Sequence, residues 1–345
     1  MKCTTVCPSR GNGSKVKDMK KIYGNSQLLA TLAGMRESGR TAHSLIFYGE
    51  KGSGRKLMAE YYTSQLLCES PVNGAPCGKC AACRNVSSMA HPDVTYVPTE
   101  GKLGGYTANI ARAVIRDSVV KPNNHTGRKV YIFRDCNKMS PITQNILLKL
   151  IEEPPDHAYF IFTAESKYEF LPTIISRCVC FGVSPCTEAE AEESLLGSGY
   201  DSREVSAAVE CFHGNIGQCT DYIVDPELRK RVDLTKRLAD SIIEKDEYGL
   251  NLALFSLGSS RNDIREVLSM TDKLVRDCAV LNRNAGAALI GCYREGARKL
   301  SDMVTAYQAV RLHERIEKAW GAMEANVNPP LVLAALSAEM IEIVR

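Results

Sequence analysis

Between residues 44 and 163 short apolar runs alternate with amphipathic stretches. Ser44–Tyr48 (Ser-Leu-Ile-Phe-Tyr) is an apolar run ending at Gly49, and a helical pattern follows from about Lys56 to Cys68. Asp93–Val97, Lys129–Phe133 and Tyr159–Thr163 are three further runs, rich in β-branched or aromatic residues and flanked by polar ones. Before the last of these, Ser140 caps a predicted helix with Pro141 in its first turn. Ile142, Ile146, Leu147, Leu150 and Ile151 form one stripe on that helix, and Pro154-Pro155 stops it. Strands separated by helices predict a parallel sheet covered on both faces.

Past Phe181 the strand-like runs cease. Gly182-Val-Ser-Pro185 reads as a linker, short helical stretches follow to about Tyr222, and from Asp225-Pro226 onward the pattern is helical. Met303, Tyr307 and Val310, then Ile316, Trp320 and Met323, recur at helical spacing and are expected to pack inside a helical core. A last helix is predicted after Asn328-Pro329-Pro330. The expected organisation is an α/β domain over 1–182, a small helical domain over 183–225 and an all-α domain over 226–345.

Composition narrows the class. The 345 residues carry 43 Lys+Arg against 40 Asp+Glu, a net charge of +3, with 44% hydrophobic residues. That excludes a low-hydrophobicity disordered chain and a free-standing polybasic DNA binder. No run approaches the ~18 apolar residues of a membrane span, and Met1 to Lys20 has no apolar signal core, so a cytoplasmic protein without membrane contact is expected.

Reduced thiols are therefore expected of the 14 cysteines, and spacing separates them. Cys136, Cys178, Cys180, Cys186, Cys211, Cys219, Cys278 and Cys292 are scattered and read as small buried hydrophobes. Cys77, Cys80 and Cys83 form two overlapping C-x-x-C steps, with Cys68 nine residues upstream. Four thiolates suit tetrahedral Zn²⁺, and Gly74, Pro76 and Gly78 allow the turns that gather them. His91 is an alternative to Cys68 as the fourth ligand. With no carboxylate in the set and no free position for water, the expected metal is structural and orders a long loop over about 68–83. The bland alternative is four unrelated thiols in a loop.

Gly49-Glu-Lys-Gly52-Ser-Gly54-Arg55-Lys56 lies between a predicted strand and helix, where a phosphate-binding loop G-x-x-x-x-G-K-[ST] belongs. Both chemical positions differ from it. Arg55 replaces the lysine that reaches the β/γ-phosphates, with a planar fork in place of a compact ammonium. Lys56 replaces the hydroxyl that ligates Mg²⁺; an ammonium about 4 Å from a divalent ion is repelled by roughly 8 kcal/mol at an effective dielectric near 20. After the Lys129–Phe133 run, where Asp-Glu would support magnesium and water, stands Arg134-Asp135. Two elements lose magnesium chemistry in the same direction, so hydrolysis of ATP here is not expected. A Gly-rich turn in an unrelated fold is the bland alternative.

Together these segments resemble the clamp-loader subunits of bacterial DNA polymerase III, which are AAA+ proteins. The resemblance rests on the loop Gly49–Lys56 followed by the cysteine set, on Gln144-Asn-Ile-Leu-Leu-Lys-Leu-Ile-Glu-Glu-Pro-Pro155, and on Leu171-Pro-Thr-Ile-Ile-Ser176-Arg177-Cys178. Gly24-Asn25, His43 and Gly214-Asn-Ile-Gly217 add to it. It implies an AAA+ P-loop parallel sheet with an inserted zinc loop, a helical lid and a helical collar. It also implies a hetero-pentamer with gamma/tau motor and delta subunits, acting on a sliding clamp and primed DNA as part of a DNA polymerase holoenzyme.

Within that family the motor subunits keep Lys-Thr and Asp-Glu, and this chain does not. Gln218 likewise stands where motors carry a basic residue that senses the γ-phosphate. The resemblance therefore implies a non-hydrolysing stator. Arg177 matches an arginine finger offered in trans to a neighbour's ATP site, with Ser176 and Cys178 shaping its turn, while Thr163 matches a phosphate-sensing position and reads here as structural. Two other readings stay open: an atypical ATPase using Arg55 or Lys56, and a zinc-dependent nucleic-acid-binding module.

Overall fold

The computed structural model describes residues 21–100, 105–258 and 260–345, so the expectation for Met1 to Lys20 lies outside the described residues. The chain forms two compact units. The first holds the described residues through Glu50 together with Gly54–Ser184; the second holds Lys51–Ser53 and Pro185–Arg345.

The first unit contains five parallel strands: β1 (Ser44–Tyr48), β2 (Val94–Tyr96), β3 (Lys129–Phe133), β4 (Ala158–Ala164) and β5 (Val179–Gly182). Their order across the sheet is β2-β3-β4-β1-β5. Its helices are α1 (Ser26–Glu37), α2 (Arg55–Leu67), α3 (Ala81–Ser87), α4 (Ala108–Ser118), α5 (Pro141–Glu152) and α6 (Pro172–Ile175). Alternating side chains of each strand build two cores. Ile46, Tyr131, Phe133, Phe160 and Phe162 meet Ile110, Val114, Leu147 and Leu150 of α4 and α5 on one face. Leu45, Phe47, Ile132 and Ile161 meet Leu32, Met58, Tyr62 and Leu66 of α1 and α2 on the other. Every residue of β3 and β4 is buried, which is why those strands read as continuous apolar runs.

Two expectations change in this unit. The sheet has a fifth strand, β5, which the sequence expectation did not include although it lies in the short apolar run Cys178–Val183. It lies at the sheet edge, with Val179 and Gly182 exposed and Cys180 and Phe181 half-buried against the two cores, a run of only four residues just before the linker. On α5, Ile142 is exposed and does not belong to the buried stripe. Thr143 and Gln144 turn inward instead. Thr143 donates to the Tyr106 carbonyl, and Gln144 binds the backbone of Met139, Glu169 and Leu171, each polar atom repaid by a partner.

The second unit is helical: α7 (Glu188–Gly197), α8 (Ser202–Phe212), α9 (Ile216–Val224), α10 (Pro226–Glu244), α11 (Glu247–Phe255), α12 (Arg261–Leu281), α13 (Arg294–Met303), α14 (Ala306–Glu324) and α15 (Pro329–Val344). Ala191, Leu195, Val205, Val209 and Ile223 form one core cluster across α7–α9, and a larger one joins α10–α15. Met303, Tyr307 and Val310 are exposed, contrary to the expectation that they pack inside. A helix boundary explains the error. Met303 ends α13, and the Thr305–Gln308 capping box starts a new helix, so one 3.6-residue period does not run across the break. The inward face of α14 is Ala309, Leu312, Ile316, Ala319 and Met323, with Trp320 partly buried beside it.

Candidate functional site

Parallel strands deliver their C-terminal ends to one edge of a sheet, and loops there gather side chains from distant parts of the sequence. Gly49 follows β1, Arg134-Asp135 follows β3 and Glu165 follows β4. Arg55, at the start of α2, is buried, and its guanidinium turns inward to these loops. Nη1 donates to the Gly49 carbonyl (2.6 Å), and Nη2 to Asp135 Oδ1 (3.0 Å) and Glu165 Oε1 (3.4 Å). Lys56 Nζ lies 2.5 Å from Asp135 Oδ2. Two cations and two carboxylates therefore balance one another inside the chain.

Burial alone would push the Asp135 carboxyl up, but the hydrogen bonds and charges of Lys56 and Arg55 outweigh it and hold the group below the ordinary carboxylate range. The Asp135 amide donates to Thr163 Oγ1 (3.0 Å), which gives that buried hydroxyl a structural role. Arg134 does not join the group. It pairs with Glu60 (2.7 Å) and lies over the Tyr96 ring. Glu165 is the member that the sequence reading missed; its only signal was its place directly after β4.

Loop residues 51–53 belong to the second unit. There Asn215 Nδ2 and Gln218 Nε2 donate to the Lys51 carbonyl at 2.9 and 3.0 Å. The Gly217 amide donates to the Gly52 carbonyl (3.1 Å). A Cβ on either glycine would collide with the other segment, and Gly52 also has a positive φ of 86°. Close backbone approach thus accounts for glycine at both positions, and Gln218 spends its amide on the loop.

The four cysteines of the spacing motif come together. Sγ atoms of Cys68, Cys77, Cys80 and Cys83 all lie within 4.8 Å of one another, and His91 is not in the group: its Nδ1 accepts from the Asp93 amide instead. Local structure explains the gathering. Gly74 and Gly78 take left-handed φ values of 70°, Val72 and Ala75 pair across a tight turn, and Gln65 ties the Gly74 and Leu32 carbonyls together. Cys80 caps α3, accepting from the Cys83 amide. The Cys77 and Cys80 amides likewise donate to the sulfurs of Cys68 and Cys77.

The backbone N–H of Lys79 leads the effects that draw the Cys77 thiol down to about 7, whereas burial pushes Cys68 and Cys83 up. Four sulfurs this close cannot all ionise without a cation between them. The donor set fits a closed metal site with no open coordination position.

Arg177 follows the single turn α6 and is exposed. Its Nε lies 2.6 Å from Glu152 Oε1, and Nη1 donates to the Thr173 carbonyl (3.0 Å) and Ser176 Oγ (3.1 Å). Ser176 itself donates to the Thr173 carbonyl. The Cys178 thiol is pushed up to about 12, chiefly by burial. Among the remaining scattered thiols, Cys136, Cys211, Cys219, Cys278 and Cys292 are buried and all are free. No helix among the described residues is long and apolar enough to cross a membrane.

Residues 24–187 match a family model described as DNA polymerase III, delta subunit. A DNA polymerase III subunit delta′ of Pseudomonas aeruginosa is 32% identical over 161 residues, covering 47% of this chain and 48% of its own length. The corresponding delta′ subunit of Escherichia coli is 28% identical over 229 residues, 63% of this chain and 65% of that protein. A subunit tau of Bacillus subtilis is 30% identical over 160 residues, 46% of this chain and 28% of the relative. The chain thus spans about half the length of the first of these relatives and less than two thirds of the others. Over residues 24–187, then, the chain is similar to DNA polymerase III subunits delta, delta′ and tau.

Proposed function

We propose that the chain is a delta′-type stator of a DNA polymerase III clamp loader. It completes a ring with gamma/tau-type ATPase subunits and a delta-type subunit in the cytoplasm, hydrolyses no ATP itself, and serves the loading of a sliding clamp onto primed DNA. One observation carries this reading: the Arg55–Asp135–Glu165–Lys56 group neutralises itself where a phosphate loop would offer a cation to phosphate and a carboxylate to magnesium. A triphosphate would have to displace two carboxylates from Arg55, and a divalent ion would meet Lys56.

The Cys68–Cys77–Cys80–Cys83 group would hold one structural Zn²⁺, whose contribution is to cross-link the loop between α2 and α3. Arg177 acts in trans: its guanidinium stabilises charge on the phosphoryl group transferring in a neighbour's ATP site, an effect worth about 10³ to 10⁵ in rate in other NTPases. Calorimetric titration of the isolated chain with Mg·ATP tests the first part. No binding in the micromolar range and no turnover are expected; magnesium-dependent micromolar binding with turnover would overturn the stator reading in favour of an atypical ATPase. Reconstitution with the ATPase and delta-type partners tests the second, since Arg177→Ala should abolish clamp- and DNA-stimulated ATPase.

A further inference from the structure

Arg177 has one partner beyond its own turn among the described residues, and that partner is Glu152. Thr173 and Ser176 lie within four residues of the arginine and move with it, whereas Glu152 lies 25 residues upstream, at the last position of α5. α5 is anchored: Leu147, Leu150 and Ile151 sit in the same core as Ile174 of α6 and the β3 and β4 phenylalanines. A carboxylate at the end of a helix faces the negative end of its dipole, so helix formation does not explain a glutamate there. Nor does fold stability, because both side chains are about half exposed, at 40% and 42%, and such pairs contribute little to folding.

The guanidinium is used asymmetrically. Glu152 forms an ion pair at Nε (2.6 Å), the local acceptors take hydrogen bonds from Nη1, and Nη2 donates no hydrogen bond among the described residues. A planar fork held along one edge presents its remaining donors in a fixed direction. We propose that Glu152 is the positioning residue of Arg177: it holds the guanidinium by Nε so that the Nη2 donors face outward to the phosphoryl oxygens of a neighbouring subunit's nucleotide. The inference rests on the trans role of Arg177 given above. Glu152 needs no release for this, because the carboxylate and the incoming phosphoryl group occupy different nitrogens.

The test uses the full chain reconstituted with its gamma/tau-type and delta-type partners, clamp and primed DNA, and reads kcat and KM for ATP. Glu152→Ala should lower the stimulated kcat about tenfold, with KM changed less than twofold, as expected for lost orientation rather than lost binding. Glu152→Asp keeps the charge that pairs with Nε and should recover at least about a third of the rate, whereas Glu152→Gln removes that charge and should be slow like Glu152→Ala. In the Arg177→Ala background Glu152→Ala should change nothing.

A wild-type kcat for Glu152→Ala beside a slow Arg177→Ala would overturn the positioning role and leave the stator reading standing. A wild-type rate for Arg177→Ala would overturn both. Additive losses in the double variant would also overturn the proposal, since Glu152 would then act through something other than Arg177. Thermal melts of each variant guard the comparison, and if Glu152→Ala unfolds, Glu152→Gln alone and in the Arg177→Ala background decides on the same criteria.

Discussion

The cysteine group and the phosphate-loop group are both places where the chain gathers charge-bearing atoms around one point, yet they need opposite things. Four sulfurs lie within 4.8 Å of one another and accept from backbone amides around them. Arg55, Lys56, Asp135 and Glu165 hold equal numbers of positive and negative groups at hydrogen-bonding distance. The first arrangement has the donor set of a closed metal site; the second already balances its own charge. Whether a binding motif still binds is thus a question of charge balance at the gathered atoms, and the fold around a motif can survive after that balance has been internalised.

The sharpest way to break the contrast is to remove the metal. Cys80→Ser, or treatment with a strong chelator, should lower the melting temperature of the first unit by on the order of 10 °C, because binding energy at such sites is folding energy. Elemental analysis should find one zinc per chain, and a metal-free protein with an unchanged melt would remove the difference between the two sites. Chelator should leave the phosphate-loop group untouched.

Next in size is Arg55→Ala. Loss of a buried cation strands the Asp135 and Glu165 carboxylates and the Gly49 carbonyl; because those carboxylates are about half exposed, the cost should be about 2 kcal/mol rather than the larger value of a fully buried pair, read from urea unfolding. A change under about 0.5 kcal/mol would mean that the internal ion pairs are not what holds the loop.

The Asp135 carboxyl gives a smaller, pH-dependent signal. Its folded-state pKa lies below its unfolded value of 3.8, so the unfolded chain binds the proton more readily. The stabilisation is present above 3.8 and is lost as pH falls through the folded value. Asp135→Asn should flatten the acid limb of a stability-against-pH curve in that window and leave it unchanged near neutrality in shape. Smallest is Lys56→Gln, expected to cost about 0.5 kcal/mol because the pair is about half exposed. A loss as large as that of Arg55→Ala would show that the two cations share the load equally.

Much of this was legible in the chain itself, for stated reasons. β3 and β4 are buried on both faces, so their residues are apolar apart from Lys129 and Thr163, which have polar partners. The C-x-x-C spacing reports turns that bring thiols together, and Arg55 and Lys56 are visible as departures from the phosphate-loop pattern without any geometry. β5 was missed because its four apolar residues, Val179–Gly182, form a short run with exposed ends directly before the linker. Met303, Tyr307 and Val310 misled because their spacing crosses the boundary between α13 and α14. Ile142 was misplaced because the inward face of α5 begins with two satisfied polar residues, Thr143 and Gln144.

By itself, the sequence determined the alternation of strand and helix, the thiol set Cys68, Cys77, Cys80 and Cys83, and the presence of Arg55, Lys56 and Arg134 where the phosphate-loop pattern has a lysine, a hydroxyl and an acid. These are local properties of residue type and spacing. Only the tertiary structure decided where the replacement charges went: Arg55 and Lys56 to Asp135 and Glu165, Arg134 away to Glu60, and Arg177 to Glu152. The reason is that an ion pair joins residues up to 110 positions apart, and nothing in either partner's local sequence names the other.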